Sequence, residues 1–207
     1  MTEKIKYAII GAGCMGQEHI LNIGIIDDAE VVALCDTSEQ SIQESLELLN
    51  DEVAIFHDYN DLIDANIADA FIIATPNFTH IDVLKDVMKS EVHLLIEKPL
   101  CTTVKDCQEF EKLAENYPGV IWTAMEYRYM PPVQRMIKEI HNNTIGDLKM
   151  LSIREHRFPF LHLHHLLPRF YRFAMPFSLI AYEKKDAILN FYPNIGFTGS
   201  FINITIE

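Results

Sequence analysis

The sequence has no arginine in its first 127 residues, and the first one is Arg128. Basic residues are few throughout, with 17 lysines and arginines against 30 acidic residues and a formal net charge of −13. Binding to the phosphate backbone of nucleic acid, or to an acidic membrane surface, needs clustered positive charge. We therefore expect neither nucleic acid nor a membrane as a partner.

Long apolar runs and cysteine pairs are also lacking. No run approaches the roughly 20 apolar residues that cross a bilayer, and residues 7–10 are too short an apolar segment for a signal peptide. The four cysteines form neither a CxxC pair nor a disulfide framework, which is typical of a reducing compartment. Three histidines between residues 162 and 165 have no acid or cysteine nearby. We expect a cytoplasmic protein without a metal site.

What the chain does contain, up to residue 125, is an alternation of short apolar strands and amphipathic helices. Because such alternation is typical of βαβ units, it predicts an α/β fold with a doubly wound parallel sheet, the Rossmann arrangement. We assign residues 1–125 to this dinucleotide-binding domain and residues 126–207 to a second, incomplete α+β domain. The strands are predicted at residues 6–10, 30–35, 68–74, 92–96 and 120–125.

The first strand leads into a glycine-rich turn with the pattern GxGxxG. Its glycines have separate roles: Gly11 permits a tight turn, Gly13 lets the backbone approach a pyrophosphate, and Gly16 lets the following helix pack on the strand. Between them, Cys14 and Met15 begin that helix, whose N-terminus faces the phosphates with free N–H groups. The turn therefore predicts dinucleotide binding.

An acidic residue, Asp36, ends the second strand twenty residues after Gly16. This is where a dinucleotide-binding unit places a carboxylate that hydrogen-bonds the ribose hydroxyls. A carboxylate repels the 2′-phosphate of NADP, and before residue 85 the only basic residues are Lys4 and Lys6. The sequence predicts NAD as the cofactor, with NADP disfavoured.

Polar residues also follow the strand that ends near residue 74. The carboxyl ends of parallel strands line the ligand crevice, so Asn77 and His80 are candidates for contacts with the cofactor. Two other interpretations are open: Asn77 caps the next helix, and His80 is a polar residue of its first turn.

The strand at residues 92–96 ends in Glu97-Lys98-Pro99. This is the third group of candidate site residues that follows a strand end and would line the same crevice. In isolation this would be an ordinary strand exit with two solvated charges. Beside a bound nicotinamide, however, Lys98 could exchange a proton with a substrate hydroxyl. Proline restricts the preceding residue and permits a cis bond, and both would fix where Lys98 points.

Taken together, four motifs in this order resemble the glucose-fructose oxidoreductase and inositol dehydrogenase (Gfo/Idh/MocA-like) family of NAD(P)-dependent oxidoreductases. The resemblance covers roughly residues 5–161. The motifs are GAGCMG with Asp36, ATPNFTH at 74–80, EKP at 97–99, and Glu126-Tyr127-Arg128 before a helix that starts at Pro131-Pro132.

The resemblance implies hydride transfer from a secondary alcohol of a sugar or cyclic polyol to nicotinamide. It implies that Glu97 and Lys98 are catalytic and that Lys98 contacts the reacting hydroxyl. Arg128 would line the same crevice, and a homo-oligomer is possible. The cofactor-binding residues that it implies are Gly11, Gly13, Cys14, Met15, Gly16, Asp36, Thr75, Pro76, Asn77, His80, Glu97 and Lys98.

Residues 126–161 match the start of the family's second domain. A helix is predicted over 132–140 and a strand over 148–158, with Arg154 and His156 on one face of the strand. Both could bind polyol hydroxyls, or they could simply lie on a solvated face. Further strands are predicted at 188–192 and 201–206.

Residues 162–207 do not match the family. Its pattern continues with a helix that bears an aspartate and then a histidine, the acid-base partner. Here only Glu183, Asp186 and Glu207 are acidic, and no histidine follows any of them. The segment could be a truncated product, a frame-altered tail or a divergent short domain. The alternative function is accordingly a catalytically silent dinucleotide-binding protein.

Overall fold

The computed structural model describes residues 3–157, 181–182, 189–191 and 200–206. It divides into two compact units, one ending at Met125 and the other beginning at Glu126. In the described part of the chain, no helix has the length and apolar character needed to span a membrane.

The first unit is built on a six-stranded sheet in which every pair of neighbouring strands is parallel. The order across the sheet is β3-β2-β1-β4-β5-β6. Strands are thus added outward from β1 on both sides, which is the Rossmann topology, and the predicted fold class is confirmed. The strands are β1 (Ile5–Ile10), β2 (Ala29–Cys35), β3 (Ala54–Phe56), β4 (Ala70–Ile73), β5 (His93–Ile96) and β6 (Ile121–Thr123).

Helices cover both faces of this sheet. Because side chains alternate along a strand, neighbouring residues of β1 enter different cores. Ile10 joins Leu84 and Phe110 in one core, whereas Ile9 joins Ile20 in the other. The sheet is therefore doubly wound. The helices are α1 (Cys14–Ile23), α2 (Glu39–Leu46), α3 (Tyr59–Ala65), α4 (His80–Val87) and α5 (Val104–Ala114).

The N-terminal caps of α5 and α2 can be compared with the capping patterns in the sequence. The spacing of Thr103 and Asp106 predicts a cap for α5, and it is confirmed, since the Thr103 side chain accepts a hydrogen bond from the backbone N–H of Asp106. The pattern Thr37-x-x-Gln40 likewise predicts a capping box at the start of α2, and this prediction is wrong. The cap is Ser38, whose hydroxyl accepts from the N–H of Ser41. Either residue type can cap a helix, so the choice depends on where the strand-to-helix turn closes.

The second unit combines a helix with an antiparallel sheet of order β8-β7-β10-β9. Met136 on α6 and Leu151 on β7 form its small buried core. The predicted helix and the three predicted strands are confirmed. The pairing of β10 with β7 was not predicted, because it joins segments far apart in sequence. The elements are α6 (Pro131–His141), β7 (Met150–Arg157), β8 (Ala181–Tyr182), β9 (Leu189–Phe191) and β10 (Ser200–Ile206).

Candidate functional site

The strands of the first unit end in one row across the sheet. Ile10 of β1 is aligned with Cys35 of β2 and Ile73 of β4. The row continues from Ile73 to Ile96 of β5, and from there to Thr123 of β6. In parallel α/β sheets this edge is where ligands bind. The residues that directly follow the row include Gly11, Asp36, Ala74 and Glu97.

The turn after β1 requires glycine at its first position. Gly11 has a φ of +100°, a conformation that is accessible mainly to glycine. A Cβ atom at this residue would lie 2.6 Å from the backbone carbonyl carbon of Ala74 and 2.7 Å from the backbone nitrogen of Thr75. Gly11 therefore lets the turn pass directly against the end of β4.

Gly16 and Gly13 differ in what surrounds them. A Cβ atom on Gly16 would collide with the carbonyl oxygen of Gly11 and approach the Ile9 side chain at 3.2 Å. A Cβ atom on Gly13 would meet no atom within 4 Å. The packing of α1 on β1 thus explains why position 16 needs a glycine. No contact within the described structure explains the glycine at position 13.

The space at Gly13 fits a dinucleotide. Gly13 is the N-cap of α1, no side chain caps this helix, and no acidic residue lies in its first turn. The first N–H groups of the helix therefore face open space, where the helix dipole favours an anion. Cys14 and Met15 form the start of this helix and are exposed. The arrangement is suited to the pyrophosphate of NAD.

Asp36 connects two loops at this edge. Its Oδ2 atom accepts a hydrogen bond from the backbone N–H of Ala12 at 2.8 Å, and its Oδ1 atom accepts one from the N–H of Ser38 at 2.8 Å. A carboxylate can accept about four hydrogen bonds. Asp36 thus orders the glycine turn and keeps acceptor capacity for ribose hydroxyls.

The carbonyl group of Ala12 is held from the opposite side by α2. It accepts a hydrogen bond from the Ser45 hydroxyl at 2.9 Å and another from Gln17 Nε2 at 3.4 Å. Ala12 and Ser45 are both 0% exposed. The peptide at the centre of the glycine turn is therefore fixed at its N–H by Asp36 and at its carbonyl by Ser45.

The segment after β4 forms a short 3-10 helix, Asn77–Thr79, before α4 begins. The Thr79 hydroxyl lies 2.9 Å from the hydroxyl of Thr75 and 2.7 Å from the carbonyl oxygen of Pro76. Neither helix has a side-chain cap, so the interpretation of Asn77 as a cap is wrong. Its assignment to the cofactor, like those of Thr75 and Pro76, stays a prediction.

His80 lies inside the protein with 1% of its surface exposed. Its Nε2 atom is 3.0 Å from the carbonyl oxygen of Thr75, and its Nδ1 atom is 3.0 Å from that of Pro99. Both ring nitrogens therefore face the chain itself, and the ring connects the segments that follow β4 and β5. The predicted contact of His80 with the cofactor stays a prediction.

Glu97 is the buried acid of the site, with 6% of its surface exposed. Its Oε1 atom lies 3.0 Å from His19 Nε2 on α1, and its Oε2 atom accepts a hydrogen bond from the backbone N–H of Lys98 at 3.1 Å. Burial, the largest influence, would raise the pKa of Glu97. The hydrogen bond with His19, together with the charge of Lys98, outweighs burial and lowers the pKa of Glu97 below its ordinary value.

Lys98 follows at the rim of the site and reaches solvent. Its side chain is 44% exposed, and its Nζ atom lies 3.9 Å from Oε2 of Glu97. The bond between Lys98 and Pro99 is cis. The ammonium group thus stands near a buried carboxylate with one side open.

Three predicted substrate residues belong to the second unit. Arg128 lies in a short 3-10 helix, Glu126–Tyr129. Arg154 and His156 are two residues apart on β7, where they pair with Asn203 and Phe201 of β10. The backbone therefore places Arg154 and His156 on one face of the sheet, as predicted. Their role in substrate binding stays a prediction.

Sequence reasoning missed His19 and Ser45. Their contacts, with Glu97 and Ala12, span 78 and 33 residues along the chain. The available signal was position alone: His19 is one helical turn after Gly16, and Ser45 lies in the helix that follows Asp36. Among the described residues, no group of histidine, cysteine or acidic side chains is arranged to hold a metal ion. The three histidines between 162 and 165 lie outside the described residues.

Residues 5–125 match the family model GFO_IDH_MocA, described as an oxidoreductase family with an NAD-binding Rossmann fold. Among curated proteins, the rhizopine catabolism protein MocA of Rhizobium meliloti is 26% identical over 149 residues, which are 72% of this chain and 46% of that protein. Inositol 2-dehydrogenase of Arthrobacter sp. (strain FB24) is 31% identical over 164 residues, which are 77% of this chain and 47% of that protein.

Solved structures of dehydrogenases are also similar to this chain. WlbA dehydrogenase of Bordetella pertussis, solved with NADH and UDP-GlcNAcA, superposes with a TM-score of 0.67 at 25% identity over 73% of this chain and 46% of that one. A probable dehydrogenase of Thermotoga maritima gives a TM-score of 0.69 at 25% identity over 74% of this chain and 46% of that one. The chain spans about half the length of the curated relatives that it matches.

Proposed function

Because the chain belongs to the Gfo/Idh/MocA oxidoreductase family, whose Rossmann fold binds NAD, we propose that it oxidises a secondary alcohol of a sugar or cyclic polyol. Some relatives are named as dehydrogenases of such substrates: myo-inositol 2-dehydrogenase of Thermotoga maritima and inositol 2-dehydrogenase of Salmonella typhimurium. The observation that carries the proposal is the row of strand ends, which brings a dinucleotide turn and Lys98 to one edge of a single sheet.

The first unit would hold NAD through the glycine turn and Asp36. The open space at Gly13 and the uncapped N-terminus of α1 take the pyrophosphate. Asp36, already fixed by the N–H groups of Ala12 and Ser38, accepts hydrogen bonds from the ribose hydroxyls. A 2′-phosphate at the same place would face this carboxylate, so NAD is preferred over NADP.

Lys98 would act on the substrate hydroxyl. The nicotinamide, when bound, accepts the hydride, and the hydroxyl must lose its proton as the hydride leaves. Nζ of Lys98 is exposed on one side and close to Glu97 on the other. It could therefore hold the hydroxyl oxygen by a hydrogen bond, and as a free amine it would take the hydroxyl proton and become the ammonium. Glu97 offsets the lysine charge.

Substrate-binding roles are also proposed for three residues of the second unit. Arg128, Arg154 and His156 carry hydrogen-bond donors of the kind that bind polyol hydroxyls. Catalytically silent dinucleotide binding is the second candidate function. A homo-oligomer and a cytoplasmic location remain predictions.

Two measurements separate these functions. Fluorescence titration gives the affinity for NAD and NADP, and a panel of sugars and inositols is monitored for reduced nicotinamide. In the dehydrogenase, Lys98→Ala abolishes turnover and keeps NAD affinity, because Lys98 acts on the hydroxyl. The matched control is Lys105→Ala at an exposed position of α5, which keeps turnover. NAD binding without turnover on any polyol would favour the silent binder, and equal affinity for NADP would contradict the role of Asp36.

A further inference from the structure

Two histidines, the half-buried His19 and the buried His80, flank the segment that carries Lys98. His19 comes from α1 and His80 from α4, on opposite faces of the sheet. The side chain of His19 is 16% exposed, and His80 is 1% exposed. Burial of two polar rings is unfavourable unless they are hydrogen-bonded, and the bonds that both rings make lie next to Lys98.

On the N-terminal side, His19 acts through Glu97. One carboxylate oxygen is 3.0 Å from His19 Nε2, and the other accepts the backbone N–H of Lys98 at 3.1 Å. The Glu97 side chain is 8% exposed and so has little contact with water. Its orientation is therefore set by these two partners, and with it the orientation of the peptide that begins Lys98.

On the C-terminal side, His80 holds the next carbonyl group. Nδ1 of His80 lies 3.0 Å from the Pro99 oxygen, and Nε2 lies 3.0 Å from the Thr75 oxygen. A neutral imidazole donates from one nitrogen only, so the ring hydrogen-bonds one of these oxygens and packs against the other, between the segment after Lys98 and the turn after β4. That turn in turn packs against Gly11. The backbone before Lys98 is thus held by α1 through Glu97. The backbone after it is held by His80 beside the turn that packs against Gly11.

We propose that His19 and His80 are positioning residues that fix the direction of Lys98 relative to the bound cofactor. The inference rests on the proposed function, because it concerns the lysine that would act on the hydroxyl. Neither histidine touches that ammonium group among the contacts of the described residues, where Nζ of Lys98 approaches Glu97 only. Both histidines act through an intermediate group, Glu97 for His19 and the Pro99 carbonyl for His80.

The first test needs no turnover. Hydrogen exchange of the Lys98 amide, followed by NMR in the free protein, reports the bond to Glu97. In His19→Phe we expect exchange at Lys98 to accelerate by about 10-fold or more, since a hydrogen bond to a charged group is lost or weakened. His19→Gln, which returns a donor to Glu97, should restore slow exchange. Amides in the interior of β4 should not change.

The control is His93→Phe. His93 lies at the other end of β5, where its Nδ1 atom accepts the N–H of Val120 at 3.0 Å. This change should leave exchange at Lys98 unaltered. Unaltered exchange in His19→Phe as well would overturn the proposal, even if the variant were less stable. If His19→Phe does not fold, Glu97→Gln carries the same test, because it keeps the shape and removes the charge that holds the Lys98 amide.

The second test separates binding from chemistry. A misdirected catalytic group reduces kcat by up to about 100-fold, so His19→Phe and His80→Phe should lower kcat while KM and NAD affinity stay unchanged. Loss of NAD affinity instead would overturn the positioning role. If no variant and no wild-type protein turns over a polyol, the proposed function fails, whereas the exchange measurement still decides the positioning of Lys98.

Discussion

Oδ2 of Asp36 accepts a hydrogen bond from the backbone N–H of Ala12 at 2.8 Å. The residue that would select the cofactor by contact with its ribose therefore also orders the turn that would bind its phosphates. A substitution at this position changes loop structure and charge together, and the two effects can be separated by choosing the replacement.

Asp36→Asn keeps a neutral acceptor, whereas Asp36→Ala removes the acceptors for both Ala12 and Ser38. We expect Asp36→Ala to lose about 1 to 3 kcal/mol of unfolding free energy and Asp36→Asn to lose less. Asp36→Asn should also narrow the ratio between NADP and NAD dissociation constants, because the repulsion of the 2′-phosphate is gone. Urea unfolding and fluorescence titration measure the two effects. Equal stability of the two variants would contradict the loop-ordering role.

The glycine turn offers a matched pair of substitutions. Gly13→Ala adds a methyl group where no protein atom lies within 4 Å, so it should cost at most about 1 kcal/mol of stability, because alanine is a poorer N-cap than glycine. NAD affinity should fall about 10-fold or more, as contacts with the pyrophosphate are lost. Gly16→Ala places the same group against the Gly11 carbonyl and should cost about 1 to 3 kcal/mol of stability. Thermal unfolding with and without NAD distinguishes the two. Normal NAD affinity in Gly13→Ala would show that the pyrophosphate lies elsewhere.

Ser45 is predicted to stabilise the glycine turn from α2. Ser45→Ala removes the buried hydroxyl that donates to the Ala12 carbonyl, which should cost about 1 to 3 kcal/mol. Ser41→Ala, one turn earlier in the same helix and only partly buried, should change stability by less than about 0.5 kcal/mol. Urea unfolding measures both. A similar loss in the two variants would attribute the effect to the helix rather than to the hydrogen bond.

Acid stability should depend on Glu97. Its pKa is lower in the folded protein than in the unfolded chain, since the hydrogen bond with His19 and the charge of Lys98 outweigh burial. The ionised carboxylate therefore stabilises the fold above the unfolded pKa of about 4.3, and this contribution is lost as the pH falls below that value. Urea unfolding across the acid range should show the advantage of wild type over Glu97→Gln shrinking there. A constant difference would contradict the lowered pKa.

Thiol labelling tests the burial of Cys35 and the location of the cofactor. Burial, helped by the charge of Asp36, raises the pKa of Cys35 to about 12, so this thiol should not react with a maleimide in the folded protein. Cys14 and Cys107 are exposed and should react. NAD should protect Cys14, which begins α1, and leave Cys107 unprotected. Mass spectrometry of labelled peptides gives the rates, and equal labelling of Cys14 with and without NAD would contradict the site.

Much of the first unit was predictable because its signals are local. The glycine turn, Asp36 and the apolar strands follow from neighbours along the chain, and parallel topology then brings the strand ends together. The contacts of His19 and Ser45 depend on how α1 and α2 pack on the sheet, which no local pattern encodes. For Asn77 the local pattern itself misled. Asparagine is a good capping residue, but Asn77 begins a 3-10 turn that precedes α4, and its side chain caps neither helix.

In the second unit, the strands at 189–191 and 200–206 were predictable from β-propensity, but the pairing of β10 with β7 was not. The register that pairs Arg154 with Asn203 closes a connection of nearly fifty residues. Alternation along β7 predicts that Arg154 and His156 share a face. It does not say what that face meets, so their role rests on the proposed function.

The open space at Gly13 has a consequence for how such chains diverge. At positions 11 and 16, a side chain would be rejected by folding itself, because backbone atoms already occupy its place. At position 13 a methyl group would meet no protein atom within 4 Å, and under the proposed function the reason for glycine there is the approach of the dinucleotide. A substitution at position 13 would therefore act mainly on dinucleotide binding, whereas one at position 11 or 16 would act first on folding. Position 13 is therefore the residue to inspect in a Rossmann domain that is stable but does not bind a dinucleotide.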